Sequence, residues 1–311
     1  MSTKNNNRGV RKVRVDSDRD GQRVDNFLLT QLKGVPKSAV YRLIRKGQVR
    51  INGGRCKPAS RLREGDEVRI PPVRSSERQA VELPDRVIER LAAAIFFEND
   101  DLIVIDKPPG MAVHGGSGLP WGLIDGLRQG RPGQYLELVH RLDRETSGCL
   151  AIAKSGAALK HFTAEFREAR VDKRYLCLLD GILPEALVDV IAPLVKVPGA
   201  ERRQVVVRED GREAHTRFRL LQAYRSASYV EAELLTGRTH QIRAHALHIG
   251  LPLAGDELYA ARDSVKRWRG GGLKRIFLHA HLLELALPSG ERQAFSRPLP
   301  ADLRQVLDKL E

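Results

Sequence analysis

His140-Arg141-Leu142-Asp143-Arg144-Glu145-Thr146-Ser147-Gly148 sets one carboxylate, Asp143, between two guanidinium groups near the middle of a 311-residue chain. Flanking cations favour the ionised carboxylate, and an ionised aspartate is a ready nucleophile. The same arginines can contact phosphate or a base edge. Chemistry alone leans the other way, to a salt-bridged loop, because surface ion pairs are common and worth little. The segments on either side decide between the two.

Upstream stands Asp106-Lys107-Pro108-Pro109-Gly110, then His114-Gly115-Gly116-Ser117-Gly118. Its glycines let backbone approach a substrate closely, although a structural loop has the same composition. Downstream, Lys173-Arg174-Tyr175 places an aromatic beside two cations. Such a ring can stack on an unpaired base, or sit half-buried in a sheet. Farther on comes Thr236-Gly237-Arg238-Thr239-His240-Gln241-Ile242-Arg243-Ala244-His245. If Thr239 caps a helix running to Ile249, Arg243 and Leu247 share a face, and Arg243 can pair with a buried carboxylate. His240, His245 and His248 suggest a metal, but no H-E-x-x-H and no nearby cysteine completes a ligand set, so none is expected.

Around these segments the patterning is that of an α+β protein. Ile95–Phe97 and Leu102–Ile105 read as a hairpin stopped by Pro108-Pro109-Gly110. A helix from Ser155 to about Arg170 carries Leu159, Phe162, Phe166 and Ala169 on its core face. Strands are expected near Tyr175–Leu179, Gln204–Val207, Thr216–Ala223, Tyr229–Leu235 and Leu282–Leu287, with a last helix over Ala301–Leu310.

The N-terminal quarter differs in charge. Residues 1–74 hold 19 Lys/Arg against 7 Asp/Glu, a net +12 of the chain's +14. A small, strongly basic module points to a polyanion, usually nucleic acid. Within it Val24, Phe27, Leu28 and Leu32 recur at helical spacing. A second helix is expected over Lys37–Lys46, stopped by Gly47, and then a hairpin around Asn52-Gly53. The boundaries read as a flexible basic tail over 1–13, a module over 14–73, a charged linker over 74–90 and a second domain over 91–311. Three cysteines without a C-x-x-C pair fit a reducing cytosol. The first residues carry no apolar leader, and the longest apolar stretch, Leu91–Phe97, is far too short to span a bilayer.

Taken together and in order, three segments resemble the RluA family of pseudouridine synthases. They are His140–Gly148, Asp106–Gly110 with His114, and Thr236–His245 continued by Gly250-x-Pro252-x-x-Gly255-Asp256. Arg23-x-Asp25 and Gly47-x-Val49-x-Ile51-Asn52-Gly53 are similar to the S-four RNA-binding domain. Val113–Gly118 and Glu137-Leu138 look most like family members that act on large-subunit ribosomal RNA. The resemblance implies a mixed, mostly antiparallel sheet flanked by helices, preceded by a small RNA-binding αβ domain. It implies that Asp143 is the catalytic aspartate, that Tyr175 packs on the target uracil, and that Arg243 pairs with the catalytic carboxylate. It also implies that Arg141 and Arg144 touch RNA near the flipped nucleotide. In the N-terminal module Arg23, Lys37, Arg42, Arg45 and Lys46 are the candidate RNA contacts. Isomerising uridine neither adds nor removes atoms, so no cofactor is expected. The partner would be large-subunit rRNA before full assembly, met by a cytosolic monomer.

The alternatives are the same chemistry at other RNA sites, transfer RNA included, or a non-catalytic rRNA-binding assembly factor. An assembly factor has no need of Asp143, Tyr175 and Arg243 together. A metal-dependent nuclease would need paired carboxylates that the motifs lack.

Overall fold

A computed structural model describes residues 9–32, 35–73, 82–115, 119–197 and 204–310. The chain divides into two compact units, Met1–Leu83 with Ser155–Ala157, and Pro84–Lys154 with Ala158–Glu311.

The first unit contains β1 (Arg11–Arg14), α1 (Val24–Gln31), α2 (Lys37–Arg45), β2 (Arg50–Ile51), β3 (Gly54–Arg55) and β4 (Glu67–Ile70). Val24, Phe27 and Leu28 of α1 meet Val40 and Ile44 of α2 in one core, at the helical spacing the sequence shows. Gly47 ends α2 with φ +67°, a left-handed conformation that favours glycine. Asn52 (φ 48°) and Gly53 (φ 80°) make the tight turn between β2 and β3. The sheet order is β1-β4-β2-β3. The tail expected over 1–13 is corrected at Arg11, where β1 pairs antiparallel with β4. Its basic residues belong to an edge strand, where charge is tolerated and hides the strand pattern. Residues 1–8 lie outside the described chain.

The second unit contains α3 (Asp85–Ala93), β5 (Ile95–Glu98), β6 (Leu102–Lys107), α4 (Leu123–Gly130), β7 (Glu137–Leu138), β8 (Ser147–Ala153), α5 (Gly156–Arg167), β9 (Asp172–Leu179), β10 (Leu187–Ile191), β11 (Leu194–Lys196) and β12 (Val205–Val207). It continues with β13 (His215–Ala223), β14 (Ser228–Leu234), α6 (Gln241–His248), α7 (Arg262–Gly270), β15 (Leu278–Ala286), β16 (Arg292–Ser296) and α8 (Ala301–Leu307). The main sheet runs β10-β13-β14-β9-β15-β8-β6-β5, with β16 beside β15 and β7 beside β8. Its pairs are antiparallel except β15 with β8, so the sheet is mixed as expected.

Alternation splits the sheet between two cores. Ile103, Ile105, Leu150 and Ile152 face one; Leu102, Val104, Cys149 and Ala151 face the other, beneath Phe162 of α5. All seven residues of β8 are buried. Gly148 takes φ +110° where β8 meets β15, and a Cβ there would lie 2.2 Å from the Ala280 carbonyl oxygen. The glycine that closes the 140–148 stretch is thus required by strand contact.

Three sequence expectations change. The linker over 74–90 gives way to α3, whose Leu91 is fully buried beneath a charged outer face; residues 74–81 lie outside the described chain. α5 stops at Arg167, and Ala169 is left-handed (φ 55°), so it is not on the helix face. The residue before α6 is His240 (φ 53°), not Thr239. The Gln241 side chain reaches back instead, its oxygen accepting from Arg238 N (2.9 Å) and Thr236 Oγ1 (2.8 Å).

Candidate active site

Asp143 opens onto a cavity of about 490 Å3 within the second unit, bounded by the 139–143 loop, α5, β9 and the start of α6. Its Oδ2 lies 3.6 Å from Nη1 of Arg243 and 3.7 Å from Nε2 of His240. These are Coulombic distances, longer than direct hydrogen bonds, so the carboxylate keeps its lone pairs for a substrate.

Arg243 is held from behind. Its Nε and Nη2 donate to Asp256 at 2.7 and 2.6 Å, a bidentate pair that leaves Nη1 facing Asp143. Asp256 is buried and also accepts from the amides of Leu258 and Tyr259. The carboxylate that Arg243 grips is therefore Asp256, and Asp143 is the second one it reaches. The Arg243 guanidinium lies 4.9 Å from the Tyr259 ring centroid. Tyr259 Oη accepts from Val205 N and sits 3.0 Å from His240 Nδ1, which leaves Nε2 as the ring atom facing Asp143. Burial lowers the His240 pKa, Asp143 works against that shift, and Arg243 adds to it.

Tyr175, on β9, lies in the cavity wall with its phenol pushed well above the usual value, mainly by burial and further by Asp143. Lys173 shares its strand face and also lines the cavity. Arg174 alternates to the other face, bound to Asp172 and Glu231, so only one of the two cations near Tyr175 shares its cavity. His140 is a structural residue. Its Nε2 accepts from Ala151 N, its ring stacks on Phe166, and burial with Lys173 lowers its pKa to about 3.

The arginines flanking Asp143 in sequence do not pair with it. Arg141 is exposed at the cavity mouth. Arg144 turns away, donating from Nε to Gly110 O and pairing with Glu145. Adjacent side chains in an extended loop point apart, so the partners of Asp143 come from α6 and the residue before it instead.

Sequence reasoning gave no role to Lys107. Its fully buried ammonium donates to the carbonyls of Pro108, Met111 and Arg144, tying the Pro108–Met111 turn to the Asp143 loop. Burial pushes its pKa down to about 7 against the pull of Glu145 and Asp143. The signal was a lysine at the end of the apolar run Leu102–Ile105. Asp106 pairs with Arg297; His114 is exposed and off the cavity, and 116–118 are outside the described chain. His245 is buried between Thr216 Oγ1 and Ala192 O, away from His240. Among the described residues no group of three His, Cys, Asp or Glu side chains is placed to hold a metal. Nor is any described helix long and apolar enough to cross a membrane.

In the first unit Arg23 Nε and Nη2 are committed to Asp25, which also accepts from Tyr41 and is pulled down to about 2, mainly by Arg23. Lys37, Arg42, Arg45 and Lys46 are exposed along or just after α2.

Comparison with known proteins gives the family. Residues 101–248 match the RNA pseudouridylate synthase model, and residues 22–68 match the S4 domain. A ribosomal large subunit pseudouridine synthase C of Yersinia pestis is 46% identical over 98% of this chain and 97% of its own length. The chain belongs to the RNA pseudouridylate synthase family. The synthase is 43% identical to the protein of the same name from Haemophilus influenzae, over 98% of this chain and 96% of that one. Among solved structures, human RNA pseudouridylate synthase domain containing 1 is similar, with a TM-score of 0.57 and 27% identity, over 66% of the synthase and 82% of that chain.

Proposed function

We propose that this synthase converts uridines of large-subunit ribosomal RNA to pseudouridine, with Asp143 as the acting carboxylate. The observation that carries the role of Asp143 is its open Oδ2 in a cavity it shares with Tyr175, backed by the Asp256–Arg243 pair. The relatives' names support the choice of RNA.

The target uridine leaves its stack so that ribose and base enter the cavity together. Stacking on Tyr175 offsets part of that cost, at about 1–3 kcal/mol per base. Attack at the ribose, proton abstraction from it, and addition to the base ring all use the same carboxylate. Arg243 and His240 hold its charge in place without occupying the oxygens. Arg141 at the mouth and the exposed cations of α2 supply salt-dependent phosphate contacts. Arg144, clasped to Gly110, contributes at the edge of the same loop. The synthase meets its RNA as a cytosolic monomer, before assembly buries the target.

The test uses large-subunit rRNA labelled with tritium at uracil carbon five, incubated without metal or nucleotide. Forming the new carbon–carbon bond expels the label into water. Asp143→Asn should abolish release and leave RNA affinity within about twofold. Normal release by that variant would remove Asp143 from the mechanism. Tight binding without release by the parent protein would favour an assembly factor.

A further inference from the structure

Lys173 is a buried amine whose pKa burial lowers, with the neighbouring Asp172 carboxylate working against that shift. It is 8% exposed, it lines the cavity, and among the described residues it has no hydrogen-bond or ion-pair partner. Leaving a charge unpaired in a protein interior is costly, so an unpaired ammonium in a cavity wall marks the place of a ligand acceptor.

Its depth shows which part of an RNA it meets. Arg141, Arg167 and Arg238 are exposed cavity-lining residues and stand at the rim. Lys173 lies with Tyr175 (8% exposed) and Leu278 (4% exposed) in the buried floor. Phosphates of a flipped nucleotide stay with the strand at the rim, and the base enters. Lys173 and Tyr175 are two residues apart on β9, about 7 Å along one strand face. A pyrimidine stacked on the tyrosine presents its polar edge to a donor at that spacing.

We propose that the Lys173 ammonium donates a hydrogen bond to a carbonyl oxygen of the target uracil and stabilises the negative charge the base acquires during reaction. This rests on the reading that places the target base against Tyr175 within reach of Asp143. When the ribose C1′–N1 bond breaks, its electron pair stays on uracil and spreads over N1 and the two carbonyl oxygens. After the base turns, carbon five supplies the pair for the new bond to C1′ and releases its proton, and N1 gains one. Lys173 transfers no proton. Its bond strengthens as charge builds on the oxygen, which favours the transition state over bound substrate.

The experiment is single-turnover tritium release by Lys173→Met at saturating enzyme, alongside RNA affinity across a salt series. Release should slow by about 10²–10³-fold, the usual cost of losing one donor to developing charge. Affinity should stay within about twofold and its salt slope should not change. Lys173→Arg, which restores a cationic donor, should recover at least about tenfold of the loss. Removing an unpaired buried charge should leave the melting temperature at or above that of the parent protein. Lys173→Leu carries the same kinetic expectation should the methionine variant not fold. Release within about threefold of the parent would overturn the proposal. So would intact release with a salt slope smaller by about 0.7, which would assign Lys173 to a phosphate. Asp143→Asn in the same assay separates the two levels. If it releases tritium normally, the reading of the cavity fails; if it is inert while Lys173→Met is normal, only the role of Lys173 fails.

Discussion

Asp256→Asn should both destabilise the second unit and misdirect Arg243. The buried carboxylate accepts four hydrogen bonds, two from Arg243 at 2.7 and 2.6 Å and two from the Leu258 and Tyr259 amides. Asparagine has the same shape but one acceptor oxygen, and its amide group faces donors it cannot satisfy. Removing one member of a buried ion pair costs about 3–5 kcal/mol. For a unit of this size that lowers the melting temperature by on the order of 10 °C. Arg243 is then free to close its 3.6 Å gap to Asp143 and bond the oxygen the substrate needs. Misplacement of about 1 Å in a catalytic group costs about 10²-fold in rate. Calorimetry and single-turnover tritium release measure the two effects. The double substitution Arg243→Met with Asp256→Leu separates them. Replacing both charges by apolar groups is often neutral for stability, so melting should recover while release stays low. An Asp256→Asn protein that melts within about 2 °C of the parent and turns over normally would refute the reasoning.

Two further outcomes concern stability. Gly148→Ala should prevent normal folding of the second unit, seen as loss of its cooperative melting transition, because the new Cβ would lie 2.2 Å from a backbone oxygen at φ +110°. Asp25 has its pKa lowered from 3.8 to about 2, so its ionisation contributes about 2 kcal/mol that is fully present above pH 4 and lost as pH falls through about 2. Urea titrations of Asp25→Asn should therefore show a deficit of that size at pH 7 that closes near pH 2; a deficit independent of pH would contradict the assignment.

The chemistry of the site was partly legible in the sequence, and its partners were not. Asp143 and Tyr175, which the structure brings into one cavity, were singled out by the family resemblance; residue type alone leaned to a salt-bridged loop and a half-buried sheet tyrosine. Arg243 was expected to find a buried carboxylate, but Asp256 as that carboxylate depends on a turn 13 residues away. Arg141 and Arg144 looked like the cations beside Asp143, yet one is at the rim and the other grips Gly110. In the fold, β5, β6, α1 and α2 were readable from periodicity. β8 was passed over because burial on both faces removes the alternation that marks a strand. α3 and β1 were hidden by the charges on their outer faces.

The parallel contact of β15 with β8, where Ser147 meets His279 across 132 residues of chain, has a consequence for synthesis. At about 5–20 residues per second the ribosome needs on the order of 10 s to deliver His279 after Ser147. Until then β8 has no neighbour on that side, and the loop bearing Asp143 ends in an unfinished sheet. The strands of the first unit all lie within residues 11–70, so they are synthesised well before β15. A nascent chain thus carries the strands of its S4 unit before it can acquire activity.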